Sequence, residues 1–146
     1  MNSYERINDV LVNLFRDILT LEEKAMTDSE FRDLSMNDWH VIEAVGLEGE
    51  KNMSQIAKEL SVTHGSLTTA MNGLCKRGYT QRRRSEEDRR VVNVSLTEKG
   101  VSACREHEQF HKHMIDAAIA GQSPEELEVL VRSLSKLTDF FMSFKH

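Results

Sequence analysis

The spacing of apolar residues changes period at Gly78, and that change limits the folds open to this chain more than any other feature. Before it, two short segments repeat apolar residues at helical intervals: Ile56, Ala57 and Leu60, then Leu67, Ala70, Met71 and Leu74. The link between them, Ser61-Val62-Thr63, has the length of a tight helix-turn-helix connection. Ser54 is placed to cap a helix over residues 55–60, and Thr63 a longer one through Arg77, with Gly78 free to take the positive φ of a helix C-terminus. After Gly78 the alternation of Val92, Val94 and Leu96 predicts antiparallel strands at residues 80–84 and 90–96 around a loop at 85–89. A helix pair followed at once by a hairpin predicts a winged helix-turn-helix.

The flanks are helical. Ile7, Leu11, Leu14, Ile18 and Leu21, widened by Val10, Phe15 and Leu19, predict a long first helix capped at Ser3. Residues 27–34 are polar and turn-like. Ser35, with Asp38 three residues later, is expected to cap a second helix that buries Trp39, Ile42 and Val45 and stops near Gly46 and Gly49. Thr97 and Gly100 open a helix to about Ile119, broken at Gly121. Ser123 then caps a last helix with Pro124 at its first position and Glu126 returning the bond. The apolar face of that helix is Leu127, Leu130, Val131, Leu134, Leu137, Phe141 and Phe144. The expected fold is mainly α with a small β-hairpin wing and six helices, one domain over residues 1–146. Its DNA-binding part lies at about 35–100 and its dimerisation part at about 3–26 and 101–146. The outer helices carry more apolar face than so small a domain can cover, which predicts an intertwined homodimer.

A formal net charge of −5 conceals a basic edge. From residue 76 to 90, Lys76, Arg77, Arg82, Arg83, Arg84, Arg89 and Arg90 face only Glu86, Glu87 and Asp88, a local +4 that leaves −9 elsewhere. Such a footprint suits the phosphates of a double-stranded DNA palindrome. With Leu67, Ala70, Met71 and Leu74 turned inward, the second helix offers His64, Gly65, Thr68, Thr69 and Asn72 to a major groove, short polar groups that allow close approach. Gly73 lies on the same side and also suggests close approach. Ser54, Ser66, Lys76, Arg77, Arg82 and Arg84 are expected on the DNA backbone. Arg89 and Arg90 at the hairpin tip are expected in the minor groove, with Asp88 accepting bonds from Arg90 or loop amides to hold the tip in shape.

Other classes find little support. No nucleophile, base and orienting acid occur together, and no glycine loop of the phosphate-binding kind, so the chain is not expected to be an enzyme. No run approaches the ~18 apolar residues that span a bilayer, so no membrane partner is expected and the location is read as cytoplasmic. Cys75 and Cys104 form no metal-binding or disulfide pattern and read as small buried hydrophobes.

The run Ser54-Gln55-Ile56-Ala57, then Gly78-Tyr79, Asp88-Arg89-Arg90 and Leu96-Thr97-Glu98-Lys99-Gly100, resembles the MarR family of bacterial transcriptional regulators. More narrowly, Tyr4-Glu5-Arg6-Ile7-Asn8, Glu22-Glu23, Phe31-Arg32-Asp33-Leu34-Ser35, His40, Thr68-Thr69 and Asn72 look like the family's repressors of fatty acid biosynthesis genes. That resemblance implies a homodimer on a palindromic operator and a corepressor, acyl carrier protein carrying a long acyl chain, with no cofactor. Leu14, Ile18, Trp39, Ile42, Phe110 and Met114 could line an acyl tunnel, worth about 0.8 kcal/mol per buried methylene, and core packing accounts for them equally. The alternative effector is zinc, on Glu23, His40, His107 and His111, a nitrogen and oxygen set resembling that of the family's zinc-responsive members. The chain lacks the cysteine that those members carry near residues 28–30. A dimeric protein-interaction module without DNA binding is the remaining alternative.

Overall fold

A computed structural model of the chain describes residues 1–144, leaving Lys145 and His146 of the expected dimerisation part outside the described residues. In chain order the elements are α1 (Ser3–Thr27), α2 (Met36–Val45), β1 (Lys51–Asn52), α3 (Met53–Leu60), α4 (His64–Lys76), β2 (Thr80–Arg84), β3 (Val92–Leu96), α5 (Glu98–Ile119) and α6 (Pro124–Met142). The strands form one antiparallel sheet in the order β1-β3-β2, with Thr80 opposite Leu96 and Arg84 opposite Val92. The chain divides into two compact units, Met1–Phe110 and the remainder from His111. Among the described residues no helix is long and apolar enough to cross a membrane.

Capping chemistry sets the helix starts. Reciprocal bonds join Ser35 to Asp38 and Ser123 to Glu126, as their spacing predicts, and Thr63 accepts from the Ser66 amide at 3.1 Å. Two starts differ from expectation. Asn2 rather than Ser3 caps α1, and Asn52 rather than Ser54 caps α3, because these asparagines place Glu5 and Gln55 at the third helical position, where the side chain bonds back to the cap amide. The hairpin is also shorter than predicted. Asp88 accepts from the Arg90 amide at 3.1 Å and from the Val91 amide at 2.9 Å, so residues 88–91 turn and pairing begins at Val92. The two-residue β1 carries no periodic signal and was not expected.

The core lies in the first unit. Trp39, Ile42 and Val45 of α2, Ile56 of α3 and Leu67, Met71 and Leu74 of α4 meet Tyr79, Val94 and Ala103. Phe31 and Leu34 join them from the segment read as a polar turn. Phe31 stands edge-on to Trp39 at 6.1 Å and to Tyr79 at 6.2 Å. The Tyr79 hydroxyl donates to Asp33 at 2.7 Å, and burial together with that carboxylate raises its pKa. Cys104 is buried, which raises its thiol to about 11 and keeps it protonated.

One charged cluster interrupts this core. His107 of α5, 3% exposed, bonds through Nε2 to Glu22 of α1 and forms an ion pair through Nδ1 with Glu43 of α2, with the Trp39 ring 5.1 Å away. Both ring nitrogens donate only in the imidazolium. Burial favours the neutral ring, but the bonds to Glu43 and Glu22 and their charges outweigh it, so the pKa stands above its ordinary 6.5. A raised folded-state pKa contributes stability that is complete below the unfolded value and is lost as pH rises through the folded one. The advantage of the native chain over His107→Gln in urea midpoint is therefore expected to be larger at pH 6 than at pH 9. A pH-independent difference would show that the cluster is not held by the protonated ring.

Candidate nucleic-acid interface

α4 cannot rotate freely, because Leu67, Met71 and Leu74 are almost wholly buried. His64, Gly65, Ser66, Thr69, Asn72 and Lys76 are consequently exposed along one side, with Thr68 and Gly73 half-buried at its border. The wing stands on the same unit. Arg82, Arg83 and Arg84 are exposed on β2, Arg89 and Arg90 in the loop.

The wing tip is internally braced. Asp88 grips Arg90 through two parallel bonds, Nε to Oδ1 at 3.0 Å and Nη2 to Oδ2 at 3.1 Å. The Arg90 guanidinium pulls the Asp88 pKa down, and Asp88 in turn raises that of Arg90. Arg84 Nη1 donates to the Arg89 carbonyl at 2.8 Å, and Arg83 pairs with Glu50 at 2.9 Å. Arg89 makes no ion pair among the described residues, which leaves its whole charge at the tip for an outside anion.

Three residues singled out separately in the sequence come together. Ser54 on the first turn of α3, His64 at the start of α4 and Arg90 line one cleft of about 180 Å³ with Asn52, Met53, Val91 and Val92. A hydroxyl, an imidazole and a guanidinium around a cleft of that size suit a phosphate oxygen.

Arg77 does not join them. Its guanidinium donates to the Gly73 carbonyl at 3.1 Å, the Asp33 carbonyl at 2.8 Å and Asp38 Oδ2 at 3.2 Å, tying α4 to α2 and to the turn before it. It is a structural strut, not the free cation its place in a basic run suggested. A Cβ at Gly73 would stand 3.3 Å from Arg77 Nη2, so the small residue also gives the arginine room to fold across the helix.

The effector candidates fall in different settings. Of the acyl-tunnel residues, Trp39 and Ile42 are packed inside the core, Ile18 and Phe110 are half-buried, Leu14 is exposed and Met114 belongs to the second unit. Of the zinc set, Glu23 and His40 are exposed, and it is Glu22 and Glu43 that meet His107. Glu22 lies one turn before buried Met26 on the inward side of α1, whereas Glu23 is rotated about 100° away from it.

The MarR family matches residues 34–92, the span of α2, β1, α3, α4, β2 and the wing loop up to the first residue of β3. The chain is similar to Streptococcus pneumoniae FabT, whose crystal structure is a complex with DNA: 41% of residues are identical, 97% of this chain and 99% of that one are covered, and the TM-score is 0.86. The uncharacterized HTH-type transcriptional regulator YkoM of Bacillus subtilis is 26% identical over 121 residues, 83% of this chain and 79% of YkoM. The HTH-type transcriptional repressor YetL of the same organism is 29% identical over 92 residues, and the match spans 55% of its length.

Proposed function

This chain belongs to the MarR family, and on that premise we propose that it is a homodimeric, sequence-specific DNA-binding repressor acting in the cytoplasm on fatty acid biosynthesis genes. It is a regulator and not an enzyme, in keeping with relatives that are transcriptional regulators. The observation that carries the DNA-binding reading is the coexistence, on one compact unit, of a short-chained polar helix face and an arginine-rich wing tip. In a dimer, α4 of each protomer would enter successive major grooves while Arg89 and Arg90 reach the flanking minor grooves.

Dimerisation is supported by apolar surface that each unit leaves uncovered. In the first, Ile7, Val10, Leu14, Phe15 and Leu19 of α1 are exposed. In the second, α6 buries none of its residues, and Val131, Leu134, Phe140 and Phe141 are open to solvent. An amphipathic helix of that length is stabilised chiefly by packing its apolar face, and a second copy supplies the packing.

The effector we propose is acyl carrier protein bearing a long acyl chain, acting as corepressor. This rests on the likeness to the fatty acid repressors. Gel shift of an inverted-repeat probe from a fatty acid gene promoter, with and without palmitoyl-acyl carrier protein, tests it. Addition is expected to tighten binding about tenfold, within the usual range of coupling energies. Unchanged affinity would remove the lipid signal and leave DNA binding intact.

A further inference from the structure

The cleft beside Ser54, His64 and Arg90 gathers side chains that can all donate a hydrogen bond. Asn52 completes its polar lining, and the remainder is apolar. Among the described residues neither the Ser54 hydroxyl nor the His64 ring has a hydrogen-bond partner. Asp88 engages Nε and Nη2 of Arg90 and leaves Nη1 unbonded. The charges facing His64 are few. β1 and α3 bring no titratable group to the cleft, the wing brings Arg90, and α4 itself carries no acid. Asp88, bonded to Arg90, is not part of the lining.

We propose that this cleft grips a phosphate of the DNA backbone with His64 as a proton-linked contact, so that DNA binding takes up protons and tightens as pH falls from 8 to 6. The proposal rests on the DNA-binding function above and deepens it, placing His64 on the backbone rather than on a base edge. A phosphodiester offers acceptor oxygens and one negative charge, which matches a cleft with several donors, one fixed cation and no acid. Histidine is the side chain whose charge ordinarily changes in this pH range. A neutral imidazole donates from one nitrogen, whereas the imidazolium donates from both and adds a charge. A phosphate oxygen against the ring therefore favours its protonated form. The coupling is reciprocal, and protonation of the ring tightens the grip on phosphate by the same factor. Arg90, charged throughout, supplies the part of the grip that does not vary with pH.

Fluorescence anisotropy of an inverted-repeat duplex at pH 6 and pH 8, each over a range of salt, tests this with the native chain, His64→Gln and His64→Lys. If each ring holds its proton about tenfold more tightly on DNA, a dimer with two such rings should bind about thirtyfold more tightly at pH 6 than at pH 8. The slope of log affinity against log salt should also be steeper at pH 6, by roughly 1 to 2, because the new charges neutralise phosphates. Both differences are expected to vanish in His64→Gln, which keeps a donor without a titrating charge. In His64→Lys they should vanish too, with affinity at pH 8 above the native value. The other histidines titrate in all three proteins and cancel in the comparison. A pH dependence that His64→Gln retains, none in the native chain, or one without a change in salt slope would overturn the proposal. No binding of the duplex by the native chain at either pH would instead overturn the DNA-binding function beneath it.

Discussion

Gly100→Ala is expected to lower the stability of the protein by about 3 kcal/mol or more, a large part of the 5–15 kcal/mol that holds a typical domain folded. A Cβ at this position would lie 2.0 Å from the Tyr79 carbonyl oxygen and 3.2 Å from Leu96 Cβ. The nearest atom is backbone and cannot swing aside. That carbonyl also accepts the Thr97 amide at 3.0 Å, while the Thr97 hydroxyl donates to the Gly78 carbonyl and accepts the Gly100 amide at 3.2 Å. Lys99 closes the junction, donating to the Arg77 carbonyl at 3.0 Å with its ammonium 4.4 Å from the centre of the Tyr79 ring. The sequence Leu96-Thr97-Glu98-Lys99-Gly100 is therefore the splice between the wing and α5. Urea denaturation checks the expectation, and an unchanged midpoint would mean that the close approach of α5 to Tyr79 has been misplaced.

Removing both arginines of the wing tip is expected to have the largest effect on DNA. Arg89→Ala with Arg90→Ala takes two cations from each protomer, four from a dimer. Each phosphate charge neutralised contributes about 0.9 to the slope of log affinity against log salt, so the slope should fall by about 3.6 and affinity at physiological salt about a hundredfold or more. Folding should be little changed, because Arg89 and Arg90 are exposed and lie outside the core. Arg77→Ala provides the contrast. Its side chain bridges α4, α2 and Asp33, so its loss should lower the urea midpoint and leave the salt slope near its native value. If Arg77→Ala instead reduces the slope as the tip variants do, Arg77 is a phosphate ligand after all.

The division between Arg77 and the arginines of the wing tip shows what local sequence can and cannot carry. The face of α4 was legible because Leu67, Met71 and Leu74 recur at helical spacing and leave His64, Thr69 and Asn72 outside. The starts of α2 and α6 were legible because both halves of the cap lie within four residues. Where two capping residues compete within that distance, as Asn2 with Ser3 and Asn52 with Ser54, the partner that bonds back decides, and an offset of one or two residues is enough to mislead. Long-range contacts were not legible. Arg77 meets Asp38 and Asp33, some forty residues away in sequence, and nothing near Arg77 announces it. Glu22 and Glu23 are equivalent in composition, and only the packing of Met26 and His107 tells them apart. Phe31 and Leu34 were hidden because a turn has no period by which to recognise its buried side.

Binding of a double-stranded inverted repeat by two copies of this chain is the claim on which the rest depends. Fluorescence anisotropy at about 0.15 M salt, comparing a selected inverted-repeat duplex with a scrambled duplex of equal composition, measures it directly. The expected result is two chains per duplex and an affinity for the repeat at least about a thousandfold above that for the scrambled sequence. Equal affinity for the two duplexes, or saturation at one chain per duplex, would contradict it.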